Sequence, residues 1–323
     1  MDLTKFFTRE ALVDTLQRLP ELKTPVMDLL YTDRRNHPFP VVGYRDLGLP
    51  AGNIPVVRRG SQSYPLVPTS GKVSMIEVQP VNPSVFVSAA DLNNLKLLDP
   101  SGQQTYIDNQ IDNLRRATRA TAEALAAQSL TGAISYPLRG EGGALLTYDV
   151  SYGTVGSVTI STKWDATTGA TISTIIKDIG KIMDELKKTA PAMDVVFLCG
   201  FDVYAVLVEK IGALPNSAIA QIGPDYISIG GIKIMVLNAN YQDLSTGSAV
   251  SAIPAKTVLA VDRSSGFKLL YAALDSMDAG LVAMPFFAQP VNTQDPSGVK
   301  IIGESKPLPV PNVKGIVKAV VLT

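Results

Sequence analysis

The chain has 323 residues, enough for about two domains and a core that needs no staples. Lysine plus arginine and aspartate plus glutamate are 29 each, so the formal net charge is zero, which argues against a sequence-independent nucleic-acid binder that must displace counterions with surplus cations. Charged residues are 18% and apolar ones 46%; with fewer charges than the roughly 25% of ordinary domains, and no net charge to keep copies apart, much of the surface is expected to lie against other copies.

Residues 1–20 place Phe6, Leu12, Val13, Leu16 and Leu19 at helical spacing, with Pro20 as the stop. A short amphipathic helix is predicted there, an arm ahead of the body. Prolines follow at 20, 25, 38, 40, 50, 55, 65 and 68. That density excludes a long helix and a central strand. The stretch is still apolar, with Val41, Val42, Tyr44, Ile54, Val56, Val57 and Leu66. It is expected to be extended and to order against a partner. Residues 73–87 alternate like an edge strand and, with Arg58, Arg59 and Tyr64, suggest a two-stranded excursion with its tip near 61–71.

Residues 103–130 form the clearest predicted element. Ile107, Ile111, Leu114, Thr118, Ala122 and Leu125 make one stripe, and no proline interrupts it. Alanines fill the flanks, and Gly132 closes the helix. A hairpin is expected over 134–163, turning at Arg139–Gly143. A second amphipathic helix is expected over 168–189, carrying Ile172, Ile175, Ile179, Ile182 and Leu186. Residues 194–272 alternate strand and helix, as in an α/β unit with a mixed sheet. Residues 299–323 return to strand character across an extended Pro307–Pro311 segment.

A search for chemistry fails at each step. One cysteine excludes a disulfide framework and a cysteine zinc site. Cys199, in an apolar run, reads as a buried thiol. One histidine, His37, excludes His-rich metal sites, and Asn36-His37-Pro38 reads as a turn. No Walker loop and no nucleophile elbow occurs, and Gly153–Gly156 precedes a strand, the wrong context for a dinucleotide. Asp275 and Asp278 could bind a cation, but a turn after a strand explains them more simply. Asp108 and Asp112 share a helix face as solvated or interface carboxylates. Arg115, Arg116 and Arg119, with Arg58 and Arg59, could meet nucleic acid; ion pairs with nearby acids are favoured at zero net charge. No catalytic, cofactor or metal residue is assigned. No apolar run of about 18 residues offers a membrane span. Asp2, Lys5, Arg9 and Glu10 stand where a secretory signal would need an apolar run, so the product is expected to stay in the cytoplasm.

The order of parts resembles the major capsid proteins of tailed double-stranded DNA phages. More closely it resembles the lambda-type family, major capsid protein E. The resemblance rests on Leu97-Leu98-Asp99-Pro100 before the long helix and Thr131-Gly132 after it. Trp164-Asp165, the run from Asp194 to Leu207 and the run from Ser305 to Leu322 add to it. It implies an α+β chain with the Hong Kong 97-type capsid fold. Residues 1–45 would be the N-terminal arm, 46–87 the extended loop over a neighbour, and 88–193 the peripheral domain with spine helix 103–130. Residues 194–290 would be the axial domain, and 291–323 return strands completing the peripheral domain. The implied function is structural and not enzymatic: a head protein assembling as hexamers and pentamers of an icosahedral shell around double-stranded DNA. The implied partners are copies of itself, portal and scaffolding proteins, and packaged DNA contacted without sequence preference; a decoration protein stays open, and no membrane is implied. The implied location is the virion, assembled in host cytoplasm. Lys72 is the only lysine of the loop, and lambda-type shells are not expected to cross-link. No long coiled-coil segment precedes the arm, so scaffolding is expected to be a separate protein. Two alternatives remain: an encapsulin-like nanocompartment shell, and an α/β enzyme, for which no matched nucleophile and base exist.

Overall fold

A computed structural model of the chain describes residues 15, 16, 18–43, 75–212, 220–237, 239–242 and 247–323. In chain order the elements begin with α1 (Pro25–Leu30), β1 (Asp33–His37), β2 (Val41–Gly43), β3 (Met75–Glu77), β4 (Ser84–Ser88), α2 (Ala89–Leu95) and α3 (Pro100–Ser129). Next come β5 (Ala133–Arg139), β6 (Leu145–Ser151), β7 (Gly156–Thr159), α4 (Ile172–Thr189), β8 (Val195–Cys199) and α5 (Phe201–Gly212). Then follow β9 (Ala220–Ile222), β10 (Tyr226–Ile229), β11 (Ile232–Val236), β12 (Asn240–Gln242), β13 (Ala249–Ser251) and β14 (Thr257–Asp262). The last are β15 (Lys268–Ala272), β16 (Phe287–Gln294), β17 (Ser297–Glu304), β18 (Pro307–Val310) and β19 (Ile316–Val320).

The spine α3 starts three residues before the sequence expectation, because Asp99 and Pro100 build its entry. The Asp99 carboxylate accepts from Gly102 N at 2.9 Å, and Pro100 occupies the first turn, where no N–H is needed. Its 30 residues span about 45 Å. The expected stripe Ile107, Ile111, Leu114, Thr118, Ala122 and Leu125 is buried throughout. Gly132 ends the segment at φ +92°, where an added Cβ would stand 2.4 Å from the Gly153 carbonyl oxygen. Only glycine fits there.

The two halves of the spine cover different sheets. Ile107, Ile111 and Leu114 pack on Val87, Ala288 and Ile301 of the sheet β16-β17-β4. The contact is close at Gly303, where a Cβ would meet Leu114 Cβ at 3.5 Å and the Phe286 ring at 3.0 Å. Farther along, the spine runs over β18, with Leu125 against Leu308 and Val310 of the sheet β1-β15-β18, while Ala122, Ala126, Ala127 and Leu130 share a core with side chains of the seven-stranded sheet β7-β19-β14-β8-β11-β10-β9. That sheet is buried on both faces, so β14 and most of β8 are inward on every residue. Val196, Leu198, Leu259 and Val261 face the spine. Phe197, Cys199, Val258 and Ala260 face α4 and α5, with Trp164 beneath them. The strand period of two divides the core into these layers.

Strand partners depart from the sequence expectation in three places. Residues 84–88 pair with β17, Val87 opposite Val299, so they belong to the sheet under the spine and not to a loop excursion. Residues 156–159, expected within the hairpin region, pair in parallel with β19. The mixed sheet expected within 194–272 therefore takes β7 and β19 from outside that range, while β15 leaves it to pair with β1 and β18. Pro307–Val310, expected as an extended crossing, is that sheet's fully buried third strand. Periodicity marks a strand; long-range register, which it does not encode, chooses the partner. The hairpin β5–β6 forms as expected, from Ala133 opposite Ser151 to Arg139 opposite Leu145.

Candidate assembly surfaces

The described part of the N-terminal arm is strapped along the spine. Thr15 Oγ1 donates to Asp108 Oδ1 at 3.0 Å, and Arg18 Nη2 reaches the same oxygen at 3.3 Å. Leu16 and Leu19 pack beside Ile107 and Ile111. Arg115 Nη2 donates to the Pro20 carbonyl at 2.5 Å. The Glu123 carboxylate accepts from Val26 N at 2.5 Å and Met27 N at 3.0 Å, capping the N-terminus of α1. Tyr31 and Ser129 share a hydrogen bond of 2.5 Å between their hydroxyls. Val26, Met27, Leu30 and Tyr31 are buried against Ala122, Ala126, Ala127 and Leu130. The expectation that the proline-rich stretch 20–70 orders against another molecule is thus corrected for 24–37. They order on their own chain, because the alanine flank of the spine lets a second helix approach closely. Pro25 opens α1 and does not prevent it. The predicted helix at 1–20 falls mostly outside the described residues.

Burial pushes the Glu123 carboxyl above the usual carboxylate range, outweighing the two backbone N–H groups that pull it down. Burial likewise raises the Tyr31 phenol. At Asp112 burial pushes upward too, but hydrogen bonds from Arg116 (2.5 Å) and Arg115 (2.8 Å) win and hold the carboxyl low.

A loop base follows the strap. β2 and β3 pair antiparallel, with Val41 opposite Glu77 and Gly43 opposite Met75. Residues 44–74 between them lie outside the described residues, and with them Arg58, Arg59 and Lys72.

The sequence candidates for chemistry are placed as follows. Cys199 is fully buried, and burial pushes its thiol up to about 12, so it is an inert core residue. His37 ends β1, its Nδ1 2.9 Å from the Phe39 carbonyl oxygen in the local turn. Arg115 and Arg116 are both spent on Asp112, and Arg119 Nη1 donates to Tyr271 OH at 2.8 Å. Asp108 receives Thr15, Arg18 and Gln104. Asp275 pairs with Lys306. Asp278 lies in the turn that follows β15. Among the described residues no group of three or more His, Cys, Asp or Glu could hold a metal ion. An open cleft of about 660 Å³ runs between residues 22–25, the spine and β12. Of the four charged residues that line it, Lys23, Arg116, Arg119 and Glu123, the last three are engaged in the contacts above.

Sequence reasoning missed the buried charges. Lys306 is 2% exposed, yet it lies in an extended stretch of prolines that gave no sign of a core position. Glu304 is buried beside it and accepts from Asp275 N at 3.2 Å. Asp262 is buried and accepts from the backbone N–H groups of Ala192, Asp194 and Ser264. An acid ending a strand before Arg-Ser-Ser was its one available signal.

Large apolar side chains stand exposed outside these networks. Leu97 and Leu98 lie at the corner before the spine. Leu145 and Leu146 lie at the hairpin tip, and Met277, Leu281 and Val282 in the turn before β16. Such patches on a folded protein mark interaction surfaces. A model of the family of phage major capsid protein E matches residues 8–321. The chain belongs to the phage major capsid protein E family. No curated protein matches the chain in sequence. The putative capsid protein of a prophage of Escherichia coli CFT073 matches with a TM-score of 0.64 and 16% identity, over 97% of this chain and 98% of that one. The capsid of a native GTA particle matches with a TM-score of 0.50 and 12% identity, over 95% and 93%. An encapsulin complex from Synechococcus elongatus PCC 7942 gives a TM-score of 0.48 and 10% identity, over 96% and 95%. The fold is the Hong Kong 97-type capsid fold. This capsid protein is a structural component of an icosahedral phage shell, a part of the virion that associates with copies of itself. No helix among the described residues is long and apolar enough to cross a membrane.

Proposed function

We propose that this capsid protein forms hexamers and pentamers that close into an icosahedral shell around double-stranded DNA, without enzymatic activity. The observation that carries the reading is the family match over 8–321, together with a spine helix of 30 residues that packs on the two three-stranded sheets β16-β17-β4 and β1-β15-β18. A helix packed on two sheets makes a stiff, wide plate, the shape that tiling requires. The proposed parts are arm 1–45, extended loop 46–87 with 84–87 returning as β4 beneath the spine, peripheral domain 88–193, axial domain 194–290 and return strands 291–323, of which β19 joins the seven-stranded sheet. The pairing of β2 with β3 supports a loop that leaves and rejoins the body at one base. The exposed apolar corners support broad contact between copies. Portal, scaffolding and decoration proteins are proposed partners, with assembly in host cytoplasm and loose contact to packaged DNA. Ion pairing of Arg115 and Arg116 within the chain leaves that DNA contact to other cations.

Negative-stain electron microscopy of the protein, expressed alone and with its genomic neighbours, tests the reading. Closed shells or capsomer rings are the expected result. A uniform monomer under every condition would overturn it.

A further inference from the structure

Two exposed corners of the chain are built rigidly, are apolar, and carry opposite outward charge. The first is Lys96–Ser101, between α2 and α3, where every residue is exposed. Leu97 is 86% exposed. The corner is held from beneath by Gln103, fully buried, whose Nε2 donates to the carbonyls of Leu95 (3.1 Å) and Leu98 (3.0 Å). Asp99 is committed to the helix cap, where its carboxylate meets the positive end of the spine. Lys96 is left as the outward charge.

The second is the turn Asp275–Ala283. Met277 is 83% exposed, and Leu281 and Val282 stand beside it. Leu281 N donates to the Ser276 carbonyl at 3.1 Å, and Gly280 N to that of Met277 at 2.9 Å. Leu281 sits at φ +57°, a left-handed conformation that a leucine rarely adopts. Lys306 and Glu304 clamp Asp275, so Asp278 is the outward charge here.

One chain cannot bring the two together. The turn is anchored at Glu304, next to Gly303, which lies against Leu114. The corner is at Pro100, which is roughly 21 Å back along the spine axis. Two complementary patches at separate places on one rigid body make a head-to-tail contact, which closes a ring where the rotation between copies permits.

We propose that the turn Asp275–Ala283 of one copy docks on the corner Lys96–Ser101 of the next, with Asp278 facing Lys96. The inference rests on the shell reading above and names one of its interfaces. Both patches are rigid before contact, so little ordering opposes docking. The charge pair sets partner and register.

The test is a charge swap in the full chain, read by sedimentation and negative-stain microscopy, with circular dichroism and thermal melting to verify folding. Lys96→Glu and Asp278→Lys each place like charges together and are expected to lower the assembled fraction at least ~10-fold. The double variant is expected to return to within ~3-fold of wild type. As a second measurement, Leu97→Cys combined with Met277→Cys is expected to give a ladder of disulfide-linked multimers; buried Cys199 adds no background. Wild-type shells together with normally assembling single variants would overturn the interface alone. So would a folded double variant that stays unassembled, or a cysteine pair without a ladder. Wild-type protein that never forms shells would remove the shell reading and this inference with it.

Discussion

Replacing Glu123 with alanine tests whether the N-terminal strap is held by its cap or by burial. The carboxylate accepts from Val26 N and Met27 N. Alanine leaves both donors at the start of α1 without an acceptor. Cap losses run ~0.5–2 kcal/mol, and charged acceptors stand at the upper end. Desolvation of Glu123, seen in its raised pKa, takes part of that back. The expected loss is about 1–2 kcal/mol. At ~2–4 °C per kcal/mol for a large domain, the melting midpoint falls about 2–8 °C. The sign of the pH dependence follows from the raised folded-state value. The folded chain holds the Glu123 proton more tightly than the unfolded chain does. This contribution is fully present below the unfolded pKa and is lost as pH rises through the folded one. The gap between wild type and alanine is therefore wider at ~pH 4 than at ~pH 7. Differential scanning fluorimetry reads the midpoint, and limited trypsin digestion reads cleavage after Lys23, beside the cap. A midpoint within ~1 °C of wild type at both pH values, with unchanged cleavage, would show that burial of Val26, Met27 and Tyr31 holds the strap unaided.

Leu114→Pro is expected to break the spine at its contact with Gly303, costing ~3 kcal/mol or more and abolishing shells under the electron microscope; normal particles would mean that the spine is not structural. Deleting residues 1–14 is expected to leave a folded subunit that assembles poorly, read by melting and sedimentation. Deletion through residue 19 is a worse probe, because it also strips Leu16 and Leu19 from the spine. Asp112→Asn removes a carboxyl whose pKa is held down by Arg116 and Arg115 once burial is overcome. A depressed folded value gives stability that is present above the unfolded pKa and lost as pH falls through the folded one. The variant is therefore expected to melt lower at neutral pH and to lose less on acidification, as read by melting across pH. Trp164→Ala, at a fully buried site, is expected to cost ~3–5 kcal/mol and to unfold the α4 side of the large sheet, seen by circular dichroism as loss of cooperative melting.

The sequence by itself determined what local physics writes into a chain. The spine was legible because Ile107, Ile111, Leu114, Thr118, Ala122 and Leu125 repeat at helical spacing over about five turns' worth of chain without a proline (about 3.6 residues each). The hairpin, the α4 stripe and the burial of Cys199 were legible for the same reason, and the ordered set of parts pointed to the capsid family. Strand partnership was not legible. Nothing in residues 84–88 names β17, nothing in 156–159 names β19, and nothing in Pro307–Val310 names β15, because pairing depends on loop closure and register across the whole chain. The strap was misread for a related reason: Val26, Met27 and Tyr31 look unpartnered until the fold brings the alanine flank of the spine beside them. The burial of Lys306, and the rigid exposure of Leu97 and Met277, belong to tertiary structure alone. A side chain's solvation is set by what the rest of the chain places around it.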